Sequence, residues 1–232
     1  MARAARFFVT GTDTDAGKTL VACGLLAAAS AQGLRTLALK PVAAGAEKRS
    51  GELRNDDALN LMAAMSEKLS YAQVNPVVFE EAIAPHIAAD HEGRRLTAVQ
   101  LAGYCRGSMM HPADFLLVEG AGGWRVPLNH RETLAALAVE LNLPVILVVG
   151  MKLGCISHAL LTADAIRADG LSLAGWVANR VDPDMACFEE NLATLQGMLP
   201  APCLGVVPHL GAGPIESDVA SYLDLSALLT VS

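Results

Sequence analysis

A lysine, a threonine and two glycines near the start of the chain have a spacing that suits phosphate binding. The segment GTDTDAGKT places Gly11, Gly17, Lys18 and Thr19 after an apolar stretch and before an Ala- and Leu-rich one. In a phosphate loop, backbone N–H groups and a lysine at the following helix start surround the anion, and the helix dipole adds about half a positive charge. We therefore expect nucleotide binding, with Lys18 on the outer phosphates and the Thr19 hydroxyl on Mg²⁺.

The spacing of this loop departs from the usual motif at one position. Five residues separate Gly11 from Gly17, whereas the usual motif has about four, so that Thr12 takes the place of the first glycine. The alternative interpretation is a plain strand-to-helix turn with a solvated lysine. Residue types, their order and the strand–loop–helix context favour nucleotide binding.

A carboxylate and a second lysine follow two further apolar segments. Glu119 comes directly after FLLV and precedes Gly120, Ala121 and Gly122, and Lys40 follows TLAL. Ligands collect at the carboxyl ends of parallel strands, so Glu119 is a candidate Mg²⁺ ligand. The small residues after it allow a ligand to approach the backbone closely. An incidental Glu in a glycine-rich turn and a surface lysine at a strand end are the alternatives.

Two predicted helix starts add further candidates. The segment RNDDALNL begins a helix with Asn55 or Asp56 as the N-cap, which leaves Asp57 free to face the metal. After the most apolar strand, the residues Gly154 to Ser157 open another helix. Its first N–H groups form either a second anion site or an ordinary capped terminus.

The end of another predicted strand carries polar residues that could contact a base. Asn179 to Asp182 spell N-R-x-D, close to the N-K-x-D signature that reads guanine. Four residues are a weak signal, but an Asn179 contact to a base edge is consistent with loops opposite a phosphate loop.

The elements that must position these residues alternate between strand and helix. Apolar segments predict strands at Arg6–Thr10, Thr36–Leu39, Val74–Phe79, Phe115–Val118, Val145–Val149, Leu173–Ala178 and Cys203–Val207. Helical patterns cover Thr19–Gln32, Asp56–Met65, Thr97–Met110, Thr133–Leu141, Ser157–Ala168 and Phe188–Leu199. The predicted fold is α/β, a parallel sheet of about seven strands with helices on both faces, in one domain over residues 1–232.

Composition narrows the class of protein. Charged residues make up 18 % and hydrophobic ones 53 %, and the formal net charge is −7. This balance argues for a globular chain and against a nucleic-acid-binding surface. The longest apolar run contains Pro144 and Lys152, which favours a buried strand over a membrane span. The chain has five cysteines, an odd number, and they are scattered, which predicts reduced thiols. The N-terminus shows no signal-peptide pattern, which predicts a cytoplasmic location.

Taken together, the motifs resemble the dethiobiotin synthetases, ATP-dependent ligases that close the ureido ring in biotin synthesis. The matching segments, in the family's order, are FVTGTDTDAGKT, KPVAAGAEK, LRNDDAL, VNPVVF, PHIAA, LVEGAGGW, LPVILVVGMKLGCISHALLT, LAGWVANRV and GVVPHL. They cover most of the chain to about Leu210. The pairing of VEGAGGW with KLGCISHALLT is the most specific part of the likeness.

This resemblance implies a P-loop NTPase-type sheet, a homodimer, and 7,8-diaminopelargonate, CO₂ or bicarbonate, and MgATP as substrates. One amine takes up CO₂ as a carbamate, ATP phosphorylates the carbamate, and the other amine attacks the mixed anhydride to close the ring. Neither a nucleic acid nor a membrane is implied as a partner.

The resemblance also implies roles for individual residues. Lys18 and Lys40 stabilise charge on the phosphates and the carbamate, and Thr19, Asp57 and Glu119 hold Mg²⁺. The nucleotide contacts are Asp15, Ala16, Gly17, Lys18, Thr19, Leu20, Asp57, Glu119, Gly120, Ala121, Gly122, Asn179, Arg180, Pro208, His209 and Leu210. The substrate contacts are Lys40, Ala44, Gly154, Cys155 and Ser157, the last three from the neighbouring subunit. Asp15 and Ala44 stand where the family has Glu and Ser.

Two other functions suit part of the pattern. A nucleotide-switch ATPase or GTPase of the nitrogenase-iron-protein type explains the loop, Glu119 and N-R-x-D. It does not explain Lys40 or the second anion site near Gly154. A small-molecule kinase would leave phosphate on a stable product.

Overall fold

The computed structural model describes residues 4–210 and 219–229, and its centre is a parallel β-sheet. The strands are β1 (Ala5–Gly11), β2 (Thr36–Leu39), β3 (Val42–Ala43), β4 (Glu47–Arg49), β5 (Glu52–Arg54), β6 (Val77–Val78), β7 (Phe115–Gly123), β8 (Val145–Gly150), β9 (Leu173–Asn179) and β10 (Cys203–Val207). The helices are α1 (Lys18–Ala31), α2 (Asp56–Ala64), α3 (Tyr71–Val74), α4 (Pro85–His91), α5 (Ala98–Ser108), α6 (Leu134–Leu141), α7 (Cys155–Ala168), α8 (Phe188–Met198) and α9 (Ser226–Leu229).

Six strands form the main sheet in the order β10-β9-β8-β1-β7-β2, and all neighbours are parallel. Every residue of β8 is buried, as expected for a strand that is covered on both faces. The predicted α/β class with a parallel sheet is confirmed. The single domain over residues 1–232 stays a prediction. No helix among the described residues has the length and apolarity needed to span a bilayer.

The strand predicted over Val74–Phe79 is wrong. Val74 ends α3, and Val77–Val78 pairs with Val42–Ala43 in a separate two-stranded sheet. The physical reason is Pro76, which lacks the N–H group that a sheet ladder requires. The main sheet therefore has six strands instead of about seven.

The outer edge of β2, which faces away from β7, is covered by the chain segment that follows α2. The N–H groups of Thr36, Ala38 and Lys40 point to this side because alternate residues of a strand bond in opposite directions. Their acceptors are Ser66 Oγ at 2.8 Å, Met65 Sδ at 3.4 Å and Val74 O at 2.9 Å.

Strand β7 is longer than the predicted Phe115–Val118. It continues through Glu119 to Gly123, with a register shift against β1 between Val9 and Gly11. The glycine-rich segment therefore starts as strand, and Glu119 within this strand is fully buried. Sequence reasoning also missed α3, α4, α9 and the hairpin of β4 and β5.

An exposed ion pair joins the chain just before β2 to the chain just before β7. Asp114 accepts hydrogen bonds from the Arg35 guanidinium at 2.9 Å and from the Arg35 backbone N–H at 3.0 Å. These bonds lower the pKa of Asp114 to about 2.

Replacing Asp114 with Asn should reduce stability more at pH 6 than at pH 3. The pKa of Asp114 is depressed in the folded state, so its contribution is complete above its ordinary value of 3.8 and is lost as the pH falls through about 2. Urea unfolding of both proteins at the two pH values measures the difference. Arg35→Gln removes the same pair from its other side and should show the same trend, whereas a loss that is equal at both pH values contradicts the assignment.

Candidate functional site

The loop between β1 and α1 is built around a backbone position that excludes side chains. Gly17 caps α1 with a φ of 87°, a left-handed conformation that favours glycine. A Cβ atom at Gly17 would lie 2.0 Å from Asn179 Nδ2. The same Asn179 amide donates to Ala16 O at 2.9 Å, so the end of β9 holds the loop.

Thr12, which replaces the usual first glycine, connects the loop to β8. Its backbone N–H donates to Val148 O at 2.9 Å, and its hydroxyl accepts from the Gly150 N–H at 3.2 Å. The next residue, Asp13, pairs with Lys152 Nζ at 3.3 Å. A side chain at position 12 thus gives the loop a hydrogen bond that glycine cannot provide.

Lys18 is not a solvated lysine. The residue is 7 % exposed, and its Nζ donates to Asp13 O at 3.2 Å. Burial lowers the pKa of Lys18, and the nearby charge of Lys40 lowers it further. The loop therefore holds a cation at some electrostatic cost until an anion arrives.

Lys40 is the most buried cation of the site, and the surface-lysine alternative is wrong. It is 2 % exposed, and its Nζ lies 2.5 Å from Glu119 Oε1, 2.8 Å from Asp57 Oδ2 and 3.1 Å from Gly120 O. Burial alone lowers the pKa of Lys40, but the charges of Glu119 and Asp57 outweigh it and raise the pKa above the ordinary value. The ammonium is thus held charged in a buried place.

Two oxygen-bearing side chains, Thr19 of α1 and Asp57 of α2, contact the Lys40–Glu119 pair. The Thr19 hydroxyl donates to Glu119 Oε1 at 2.8 Å. Burial raises the pKa of Asp57, but the Lys40 charge and hydrogen bond outweigh burial, so the pKa is below its ordinary value. Asn55 is the N-cap of α2 and accepts from the Ala58 N–H, which leaves Asp57 free, as the sequence predicted.

Glu119 has an unused acceptor in a fully buried place. The residue is 0 % exposed, and its Oε2 atom has no hydrogen-bond partner. A buried carboxylate oxygen without a partner suits a cation or a water molecule. Among the described residues no three His, Cys, Asp or Glu side chains form a cluster, but Mg²⁺ in nucleotide sites needs only one or two carboxylates beside phosphate oxygens. Thr19, Asp57 and Glu119 therefore fit this metal.

Lys18, Thr19, Lys40 and Asp57 line a cavity of about 700 Å³. Its other lining residues are Thr14, Asp15, Gly17, Leu20, Ala43, Ala44, Gly45, Asn55, Ala82, Ile83, Ala84, Pro85, Ala121, Gly122 and Val126. Sequence reasoning missed the residues from Ala82 to Pro85 as a cavity wall. Of these residues only Pro85 belongs to a segment quoted in the sequence analysis, PHIAA, to which no role was given.

The predicted base-contacting residues lie together, but they are not among the residues that line this cavity. The Arg180 N–H donates to Val207 O at 2.9 Å, and Arg180 O lies 3.2 Å from His209 Nδ1. The Arg180 guanidinium lies 4.8 Å from the Phe188 ring centre and donates to Pro183 O. Pro208 and Leu210 flank His209 in the loop after β10.

The predicted second anion site at the start of α7 is also separate from the cavity lining. Gly154 caps the helix with a φ of 97°. Cys155 is fully buried, so it could offer a ligand only its backbone, and Ser157 is exposed. Leu153, just before the cap, is 92 % exposed.

The geometry suits transfer of a phosphoryl group. Two buried ammonium groups, Lys18 and Lys40, lie with the oxygens of Thr19 and Asp57 in one cavity, whose lining also includes apolar side chains such as Ala43 and Ile83. Phosphoryl transfer depends on positioning and on cationic stabilisation more than on a strong protein nucleophile.

Comparisons with known proteins identify the family of this chain. The chain matches the family model described as an AAA domain over residues 5–212. It is 64 % identical over 224 residues to the ATP-dependent dethiobiotin synthetase BioD of Cellvibrio japonicus, covering 96 % of this chain and 97 % of that protein. It is 53 % identical over 227 residues to the protein of the same name from Marinobacter nauticus, with the same two coverages.

Solved structures with little sequence identity share the fold. The septum site-determining protein MinD of Pyrococcus horikoshii, solved in complex with Mg-ADP, has a TM-score of 0.55 at 17 % identity, with 98 % of this chain and 90 % of that chain covered. Chloroplast FtsY of Physcomitrella patens has a TM-score of 0.52 at 16 % identity, and the match covers 99 % of this chain and 65 % of that one.

Proposed function

Because this chain belongs to the ATP-dependent dethiobiotin synthetases and forms dethiobiotin at the expense of ATP, we propose that its cavity binds 7,8-diaminopelargonate and CO₂ or bicarbonate beside MgATP. The observation that carries the proposal is the position of Lys40. Its ammonium is buried beside Glu119, and Lys40 lines the same cavity as the phosphate loop and the apolar residues Ala43 and Ala44. A carbamate bound in this cavity could therefore meet the terminal phosphate.

The proposed nucleotide position follows from the loop. The phosphates bind the N–H groups from Asp15 to Leu20, with Lys18 on the outer phosphates. The adenine lies toward Asn179, Arg180 and the Pro208–Leu210 turn, which the structure brings together beside the loop. Gly120, Ala121 and Gly122 approach the ligand through their backbone.

The metal proposal involves Thr19, Asp57 and Glu119, whose oxygens suit Mg²⁺. When bound, Mg²⁺ neutralises charge on the phosphate oxygens. The partnerless Glu119 Oε2 supports this assignment.

The substrate proposal places the aliphatic chain of the diamine along the apolar lining residues Ala43, Ala44 and Ile83. A carbamate oxygen attacks the terminal phosphorus of ATP, and the bond from that phosphorus to the ADP oxygen breaks. The free amine then attacks the carbamoyl carbon and loses a proton, and the carbon–oxygen bond to phosphate breaks. Lys18 and Lys40 stabilise the negative charge that develops in both steps.

The α7 start has a proposed role in a homodimer. Because Gly154, Cys155 and Ser157 do not line the cavity of their own chain, we propose that they bind the substrate carboxylate of the neighbouring subunit. The large exposed fractions of Leu153 and Leu161, 92 % and 65 %, support a covered surface there. A cytoplasmic location and the absence of nucleic-acid and membrane partners stay predictions from the sequence.

The nucleotide-switch alternative is not favoured, since the full-length relatives are synthetases. The test is phosphate release by the purified protein with ATP, with and without diaminopelargonate and bicarbonate, together with mass spectrometry of the product. We expect phosphate release that depends on both diaminopelargonate and bicarbonate. The expected product is a dehydrated ureido compound that carries no phosphate. Diamine-independent release would indicate a switch, and a stable phosphorylated product would indicate a kinase.

A further inference from the structure

The segment YAQVNP, residues 71–76, is hydrogen-bonded to the backbone of Lys40 and of Asn55, two residues before Asp57. This segment has no role in the assignments above. We propose that Tyr71 and Asn75 are positioning residues that set the separation between Lys40 Nζ and Asp57 Oδ2. This inference rests on the roles proposed above for Lys40 and Asp57.

Asn75 and its neighbour fix both backbone polar groups of Lys40. The Lys40 N–H donates to Val74 O at 2.9 Å, and the Lys40 carbonyl accepts from Asn75 Nδ2 at 2.6 Å. The same Asn75 amide donates to Val77 O at 3.1 Å, which fixes its orientation. Asn75 is 2 % exposed, so water cannot readily replace these bonds. The end of β2 is therefore held in one place just before Pro41.

Tyr71 connects Asn75 to the start of α2. Its hydroxyl donates to Asn75 Oδ1 at 2.8 Å and accepts from the Asn55 N–H at 2.8 Å. Asn55 in turn caps α2 by accepting from the Ala58 N–H, and its Nδ2 donates to Ala44 O at 3.2 Å on the cavity wall. One phenol group thus bridges the Asn75 side-chain amide and the Asn55 backbone N–H.

The result is a continuous series of hydrogen bonds behind the site. It begins at the Lys40 carbonyl and ends at the N-cap of α2, two residues before Asp57. The side chains of Lys40 and Asp57, which the same two chain segments carry, meet at 2.8 Å. The phosphate loop is held by different partners, Asn179, Val148 and Gly150. We therefore expect the series to affect the chemical step and not the binding of ATP.

The first test is Tyr71→Phe, which removes the bridging hydroxyl and keeps the ring. We expect kcat for dethiobiotin formation to fall about tenfold and the KM for ATP to stay within about twofold. Tyr104→Phe is a matched control, because it loses a hydroxyl that bonds Gln100 at 3.2 Å on α5, and it should keep its kcat. Ser108→Ala removes a bond to Gln73 O in α3 and should lower thermal stability without lowering kcat.

The second test is a double-mutant cycle with Asp57→Asn. If Tyr71 acts by placing the Lys40–Asp57 pair, its replacement should lower kcat by less than about twofold once Asp57 is gone. Asn75→Ala should give the same pattern with a larger single effect. Equal factors in both backgrounds, an unchanged kcat for Tyr71→Phe, or a fully active Asp57→Asn would each overturn the inference. A wild-type protein that forms no product from the diamine would instead overturn the proposed function.

Discussion

Lys40→Met should lower kcat by about 10²- to 10³-fold while leaving the KM for ATP nearly unchanged. Lys40 lines the same cavity as the phosphate loop and the apolar residues Ala43 and Ala44, so its charge is expected to act on the reacting oxygens and not on the whole nucleotide. Steady-state kinetics with saturating diamine and bicarbonate measure both constants. An effect confined to the KM for ATP would show that Lys40 serves only nucleotide binding.

The same substitution should also destabilise the protein. It leaves the fully buried Glu119 without its cation, and breaking a buried ion pair typically costs about 3–5 kcal/mol. Adding Glu119→Gln removes the uncompensated charge, so the double variant should regain stability without regaining kcat. Lys48→Met is a matched control because Lys48 is exposed and pairs with Glu80 at the surface. It should change neither quantity measurably.

Lys18→Ala should separate binding from stability. The loss of a charge-assisted contact to phosphate is worth about 1.5–3 kcal/mol, which corresponds to roughly a 10- to 150-fold loss in affinity for ATP. Stability should change little, because burial lowers the pKa of Lys18 and its charge is costly before a nucleotide binds.

Calorimetric titration with ADP and ATP, beside urea unfolding, tests this separation. Lys18→Met retains most of the buried aliphatic stem and should reproduce the loss of affinity, which assigns the loss to the charge. A Lys18→Ala protein that binds both nucleotides like the wild type would contradict the proposed place of this lysine.

Sequence reasoning could locate the polar residues of the site because these residues lie at strand ends and helix starts. Glu119 and Lys40 follow apolar segments, and parallel strands bring their carboxyl ends to one edge of the sheet. The Thr12 departure and the Gly17 conformation also follow from local chain geometry. These features depend on a few neighbouring residues, which is why they are visible in the sequence.

The apolar lining of the cavity, by contrast, depends on packing between distant segments of the chain. The segment Val74–Phe79 is predicted as a strand because most of its side chains are apolar. In the structure Val74 instead ends α3, and Val77–Val78 pairs in a separate two-stranded sheet. The wall from Ala82 to Pro85 consists of small or apolar residues that carry no chemical signature. Nothing in local propensity distinguishes a residue that lines a cavity from one that lies in the core.

The covering of β2 has a consequence for how copies of this chain can associate. A strand at the border of a sheet is a template for intermolecular pairing, and native proteins protect such borders from aggregation. Here the N–H groups of Thr36, Ala38 and Lys40 are occupied by the segment from Met65 to Val74, part of which we propose to position the Lys40 ammonium. A variant that weakens the attachment of this segment to β2 therefore risks fibril-like assembly as well as slow turnover. Light scattering during protein production would detect the assembly, and steady-state kinetics would then detect the slow turnover.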